Sequence, residues 1–152
     1  MAMVVRSFRF PEQMLEPLEN LTQFFGTEGA VLAFALAQLH AQYIGPLPLV
    51  AATYIDGLTK LVDFFVEVDT IVKHLQQNGA VDENVIRTAA ECVATTPAIL
   101  KKHAAAVAVL GALVVNQGFG RRVKKLTGRK SGKQARAFGP AANVITTFTR
   151  LS

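Results

Sequence analysis

Residues 50–77, VAATYIDGLTKLVDFFVEVDTIVKHLQQ, decide the fold. Tyr54, Ile55, Leu58, Leu61, Val62, Phe65, Val68, Ile71, Val72 and Leu75 recur three or four residues apart, the spacing of one helix face and not the alternation of a strand. Asp56, Lys60, Asp63, Glu67 and Lys73 occupy much of the other side, and Asn78-Gly79 supplies a stop. One long amphipathic helix is therefore expected, with Gly57 as a place where it can bend. Such a helix runs about 40 Å and needs apolar partners along most of its length.

Those partners are read outward from it. Toward the N-terminus, Pro11 is placed to open a helix, because its missing N–H falls where no helical partner is needed. Met14, Leu15, Leu18 and Leu21 form its apolar stripe, Phe24 and Phe25 lie near its end, and Pro17 predicts a kink or two short turns. Thr27 is a candidate cap for an Ala- and Leu-rich helix over 28–43 that Gly45-Pro46 and Pro48 terminate. Toward the C-terminus, Asp82 can cap a fourth helix reaching about Thr95, with Val85, Ile86, Ala89, Ala90 and Val93 inward. Thr96-Pro97 opens a fifth, expected to continue through AAAVAVLGALVV (104–115) and, past a weak point at Gly118 or Gly120, into RRVKKL. The fold class is all-α: about five helices and a basic C-terminal arm. Residues 1–120 are expected to form a helical assembly core with an N-terminal extension, and residues 121–152 a basic arm whose Val144, Ile145 and Phe148 tie its far end back to protein as a short strand or terminal helix.

The charge is split along the chain. Residues 1–91 hold five Lys or Arg and all eleven acids, whereas residues 92–152 hold eleven Lys or Arg and no acid, for a total of +5. Eight of those cations fall in 121–136, RRVKKLTGRKSGKQAR. Sequence neighbours cannot neutralise such a block, so it attracts a polyanion or an acidic membrane surface; a solubilising tail or a contact with an acidic protein is the plainer reading. Against nucleic acid, Lys124, Lys125, Lys130 and Lys133 act as point charges, and Arg121, Arg122, Arg129 and Arg136 offer forked donors to phosphate oxygens. Arg6, Arg9, Lys101 and Lys102 are possible additional phosphate contacts. No zinc-finger spacing or single-stranded-RNA aromatic signature accompanies them, so recognition is expected to be independent of base sequence. Eight neutralised duplex phosphates would give a salt-dependence slope of about −7 at most.

At 152 residues, 51% of them hydrophobic, with mean hydropathy +0.31 and no Trp, the chain is more apolar than a water-surrounded monomer requires. Part of its surface is expected to meet other subunits or lipid. The N-terminus lacks a signal-peptide pattern, and the lone Cys92 forms no internal disulfide and reads as a small buried hydrophobe. The apolar run 104–115 has twelve residues, short of the roughly 20 of a spanning helix. His40, His74 and His103 are scattered and form no HExxH or CxxC arrangement with one another or with Cys92, the carboxylates of Asp56, Asp63, Glu67 and Asp69 fit a solvated helix face, and GFGRR lacks the Lys-Ser/Thr ending of a phosphate-binding loop. No catalytic residue, metal site or cofactor is expected; the remaining enzymatic reading uses His103 as a neutral base beside Lys101 and Lys102.

In size, low charge outside a basic region and helix-break-helix layout over most of residues 11–127, the chain resembles the small, Ala/Val-rich major coat proteins of filamentous archaeal viruses that wrap double-stranded DNA. The resemblance implies a virion protein, a pair of related coat subunits enclosing A-form DNA, and in some members a lipid envelope. Some members carry the DNA-wrapping arm at the N-terminus, whereas here the strongest basic block is 121–136, with Arg6 and Arg9 as a supplement. The expected function is a structural DNA-packaging subunit that assembles into a helical filament. The alternative is a membrane-associated helical protein whose basic arm meets anionic headgroups while residues 104–117 enter the interface.

Overall fold

A computed structural model describes residues 3–82 and 84–128. Six α-helices follow a single 3₁₀ turn at Glu12–Met14: α1 (Leu15–Phe25), α2 (Glu28–Tyr43), α3 (Leu49–Gln77), α4 (Val85–Thr95), α5 (Pro97–Leu110) and α6 (Ala112–Thr127). Pro17 lies in the first turn of α1, where a missing N–H costs nothing, so the break expected there takes the form of the preceding 3₁₀ turn. Thr27 caps α2 by accepting a hydrogen bond from the Ala30 N–H at 3.0 Å. Asp82 stands two residues further out than the cap: its side chain accepts from the Asn84 N–H at 2.8 Å, and Asn84 occupies the N-cap position.

The long helix is the axis of the core. Phe64, Phe65, Val68, Val72 and Leu75 of α3 pack with Val85, Ile86, Ala89, Ala90 and Val93 of α4, Ala106 of α5, and Val115, Phe119 and Val123 of α6. At the α3–α5 crossing Gly57 has no room for a side chain; a Cβ there would stand 2.5 Å from Val109 Cγ1 and 2.9 Å from Leu110 Cδ2. Gly57 is thus a point of close helix approach within an unbroken α3, not a hinge.

The helix expected from Pro97 into the basic block is two helices, and the break is Gly111, not Gly118 or Gly120. Gly111 adopts φ 86°, ψ 152°, a conformation closed to other residues, and ends α5. Gly118 and Gly120 sit inside α6. The first of them packs closely beneath a ring: a Cβ at Gly118 would stand 3.0 Å from Phe65 Cζ, a tight contact. Helix α6 also runs through residue 120, so the first seven residues of the basic block are helical and continuous with the core.

The first two helices stand differently. None of the α1 side chains is buried and only Ala30 and Val31 of α2 are, so α1 and α2 form a hairpin resting on the α3–α6 bundle. Leu32, Leu36, Leu39, Tyr43 and Ile44 remain exposed on it, as do Leu49 and Val50 at the start of α3.

Candidate nucleic-acid interface

The α6 helix carries the cations, and its phase sorts them. Val115, Phe119, Arg122 and Val123 share the inward face, so Arg121 and Lys125, one turn apart, fall outside it and are exposed, with Lys124 half-exposed. The end of α6 is held against α3 by the Gln76 side-chain amide, which donates to the Leu126 carbonyl at 3.1 Å. Lys124 and Lys125 stand in the last turn, where the carbonyl ends of the helix favour positive charge. Among the described residues, Arg121, Lys124 and Lys125 have no carboxylate partner. Arg121 and Lys125 line a groove of about 410 Å³ whose other walls include Leu32, Leu58, Phe65 and Val114.

Arg122 is not a surface cation. Its Nε and Nη2 donate to the two carboxylate oxygens of Asp69 at 2.8 and 2.7 Å, Nη1 donates to the Gln23 carbonyl, and the guanidinium lies 5.4 Å from the centre of the Phe65 ring. With 8% of its surface exposed, it is committed to the protein and is withdrawn from the phosphate-binding set. Its partner Asp69, whose spacing in the sequence fits a solvated face, is 38% exposed. The signal that identifies the pair is helical phase, because Arg122 follows Val115 and Phe119 by seven and three residues.

The remaining expected contacts scatter. Lys102 is engaged with Glu67 at 2.6 Å, whereas Lys101 is exposed on α5, a different helix from the one that carries Arg121 and Lys125. Arg6 and Arg9 are exposed on the segment that precedes Pro11, which has neither helix nor strand; Met3 of that segment reaches the Arg121 groove and the two arginines do not. Arg129, Lys130, Lys133, Arg136 and the terminal element over 143–150 lie outside the described residues.

A second groove, about 710 Å³, opens between α2 and the start of α3 and is almost wholly apolar, with Leu36, Leu39, Tyr43, Ile44 and Tyr54 in its walls. The His40 Nδ1–H donates to the Gly45 carbonyl at 2.8 Å and so fixes the turn that closes one end. The two grooves adjoin at Ala33, Leu36 and Tyr54 and form one trough.

His103 is half-buried against Phe64, and its Nε2–H donates to Oδ1 of the buried Asn116 at 2.7 Å. Burial lowers its pKa, the Asn116 bond opposing the shift, so the imidazole is neutral at pH 7 because of burial and not because of its lysine neighbours. It lines neither of the two grooves. Burial, reinforced by the Glu91 charge, pushes the half-buried Cys92 thiol up, away from the reactive thiolate. Among the described residues no three His, Cys, Asp or Glu side chains are grouped to hold a metal ion, and no helix is long and apolar enough to cross a membrane. Comparison with protein-family models, curated proteins and solved structures gave no match.

Proposed function

We propose that this protein is a structural subunit that polymerises through its apolar N-terminal half and holds duplex DNA by its phosphates at the cationic end of α6, as the coat protein of a filamentous virion does. The observation that carries the reading is the presence, on one small chain, of an uncovered apolar trough and of the cations Arg121, Lys124 and Lys125 without carboxylate partners among the described residues. Apolar surface of this kind is stabilised when other subunits cover it. Clustered cations release counterions from DNA whatever its base sequence. Copies of the chain, a related second coat subunit and an envelope are the partners this function admits.

The test is assembly and affinity measured together. Duplexes of unrelated sequence should bind alike, and electron microscopy should show filaments with duplex density along the α6 end. A chain that stays monomeric with and without DNA from low to moderate salt sinks the proposal. One observation favours the membrane-surface alternative: Leu113 and Val114 are exposed on the same helix that carries Arg121 and Lys125. Flotation with anionic vesicles, together with negligible affinity for duplex DNA, would select that alternative.

A further inference from the structure

The segment Met3–Phe10 has no helix or strand, and its Val4, Val5 and Phe8 are each at least 73% exposed. Phe10, half-exposed, continues the series. If it runs extended in a groove, its side chains alternate, with Val4, Arg6, Phe8 and Phe10 on one edge and Val5, Ser7 and Arg9 on the other. Each edge carries apolar side chains and one arginine, Arg6 or Arg9, and the subunit itself leaves Val4, Val5 and Phe8 uncovered. The α2–α3 groove has the complementary problem: an apolar trench, with charged side chains absent from its walls except where His40 is already bonded to Gly45.

Within one chain the two do not meet. Pro11 fixes one end of the segment at the entry to α1, Met3 at the other end lines the Arg121 groove, and no residue of 3–10 lines the α2–α3 groove. We infer that residues 3–10 of one copy lie in the α2–α3 groove of a second copy. Eight extended residues span roughly 26 Å, enough to follow the trough past more than one helical turn of α2. Seated there, Phe8 and Phe10 face Leu36, Leu39 and Tyr43, Arg9 stays in water, and Arg6 lays its alkyl stem along the groove with its guanidinium at the rim. Because donor segment and acceptor groove are different surfaces, the contact is heterologous and repeats into an open chain. The inference rests on the polymer reading above and supplies its joint.

Single-cysteine variants test it in a Cys92→Ala background. Phe8→Cys in one preparation and Leu39→Cys in another should give a disulfide-linked dimer when mixed and mildly oxidised, at least about tenfold faster than Phe8→Cys mixed with Val66→Cys, whose site is exposed but outside the groove. A synthetic peptide of residues 3–11 should suppress the link, and the same peptide with Ser at 4, 5, 8 and 10 should not. The inference is overturned if the Val66→Cys pair links equally fast. It is also overturned if linkage occurs only within a double variant of one chain, or if none forms. Filaments growing normally from a chain with Val4, Val5, Phe8 and Phe10 all changed to Ser would remove this joint and leave the polymer reading standing, whereas a wild-type chain that never assembles removes that reading itself.

Discussion

Arg122 shows how much one residue's surroundings change its meaning. As a letter in RRVKK it is interchangeable with Arg121; in the fold it joins α6 to Asp69 on α3 and to the last turn of α1. Removing one member of a buried ion pair typically costs about 3–5 kcal/mol, and with Asp69 38% exposed the lower figure applies. Arg122→Met should therefore lower unfolding stability by about 3 kcal/mol in a denaturant titration, against less than about 0.5 kcal/mol for Arg121→Met. Equal losses would show that the Asp69 contact contributes nothing. His103 gives a second residue-scale prediction. Its folded pKa is lowered, so above the ordinary value near 6.5 folded and unfolded states are both neutral and nothing is lost. As pH falls through that value the unfolded chain takes up a proton that the folded chain refuses, and stability drops until the folded pKa is reached. Thermal unfolding of the wild type should show this decline below about pH 6.5, and His103→Gln should flatten it.

At the scale of elements, two glycines separate crowding from backbone conformation. Gly57→Ala places a methyl against Val109, whose own Cβ lies 3.0 Å away and cannot rotate aside, so the gain in helix propensity is outweighed. A net destabilisation of about 1–2 kcal/mol is expected by chemical denaturation. Gly111→Ala meets no neighbouring atom within 4 Å, and its cost of about 1–3 kcal/mol comes from the positive φ alone. A Gly111→Ala protein as stable as the wild type would mean that α5 and α6 tolerate being one helix. These glycines also mark where the sequence was legible. The span of α2 and the inward face of α4 followed from periodicity and caps, because those are local properties. The all-α class and the long α3 followed for the same reason, although Phe64, fully buried, fell outside the stripe that Phe65 anchors. The α5–α6 break did not follow, since a glycine needed for a turn and one packed beneath a phenylalanine ring are the same letter. At the candidate site, the exposure of Arg121 and Lys125 could be expected from the sequence, but the engagement of Arg122 and Lys102 depended on partners 53 and 35 residues away.

For the whole molecule, the charges and the apolar trough make separable predictions. Changing Arg121, Lys124 and Lys125 together to Gln should weaken binding to unrelated duplexes by similar factors and flatten the logarithmic salt slope by nearly 3, at about 0.9 per phosphate contact. An unchanged slope in the folded variant would take these residues out of the interface. Polymerisation in the absence of DNA should survive that change, because the surfaces proposed to join subunits lie on α2 and the N-terminal segment.

The bond between Arg122 and the Gln23 carbonyl spans 99 residues, and this separation acts as a clock during synthesis. At about 5–20 residues per second, a ribosome finishes the donor roughly 5–20 s after the acceptor. Until then the elbow between the first two helices is untied, and the wall of the trough supplied by Val114, Gly118 and Arg121 has not been made. The α2–α3 groove, whose lining ends at Ile55, has by then long been synthesised. Among the described residues the cationic groove is thus the last part of the fold to be completed, after the apolar one.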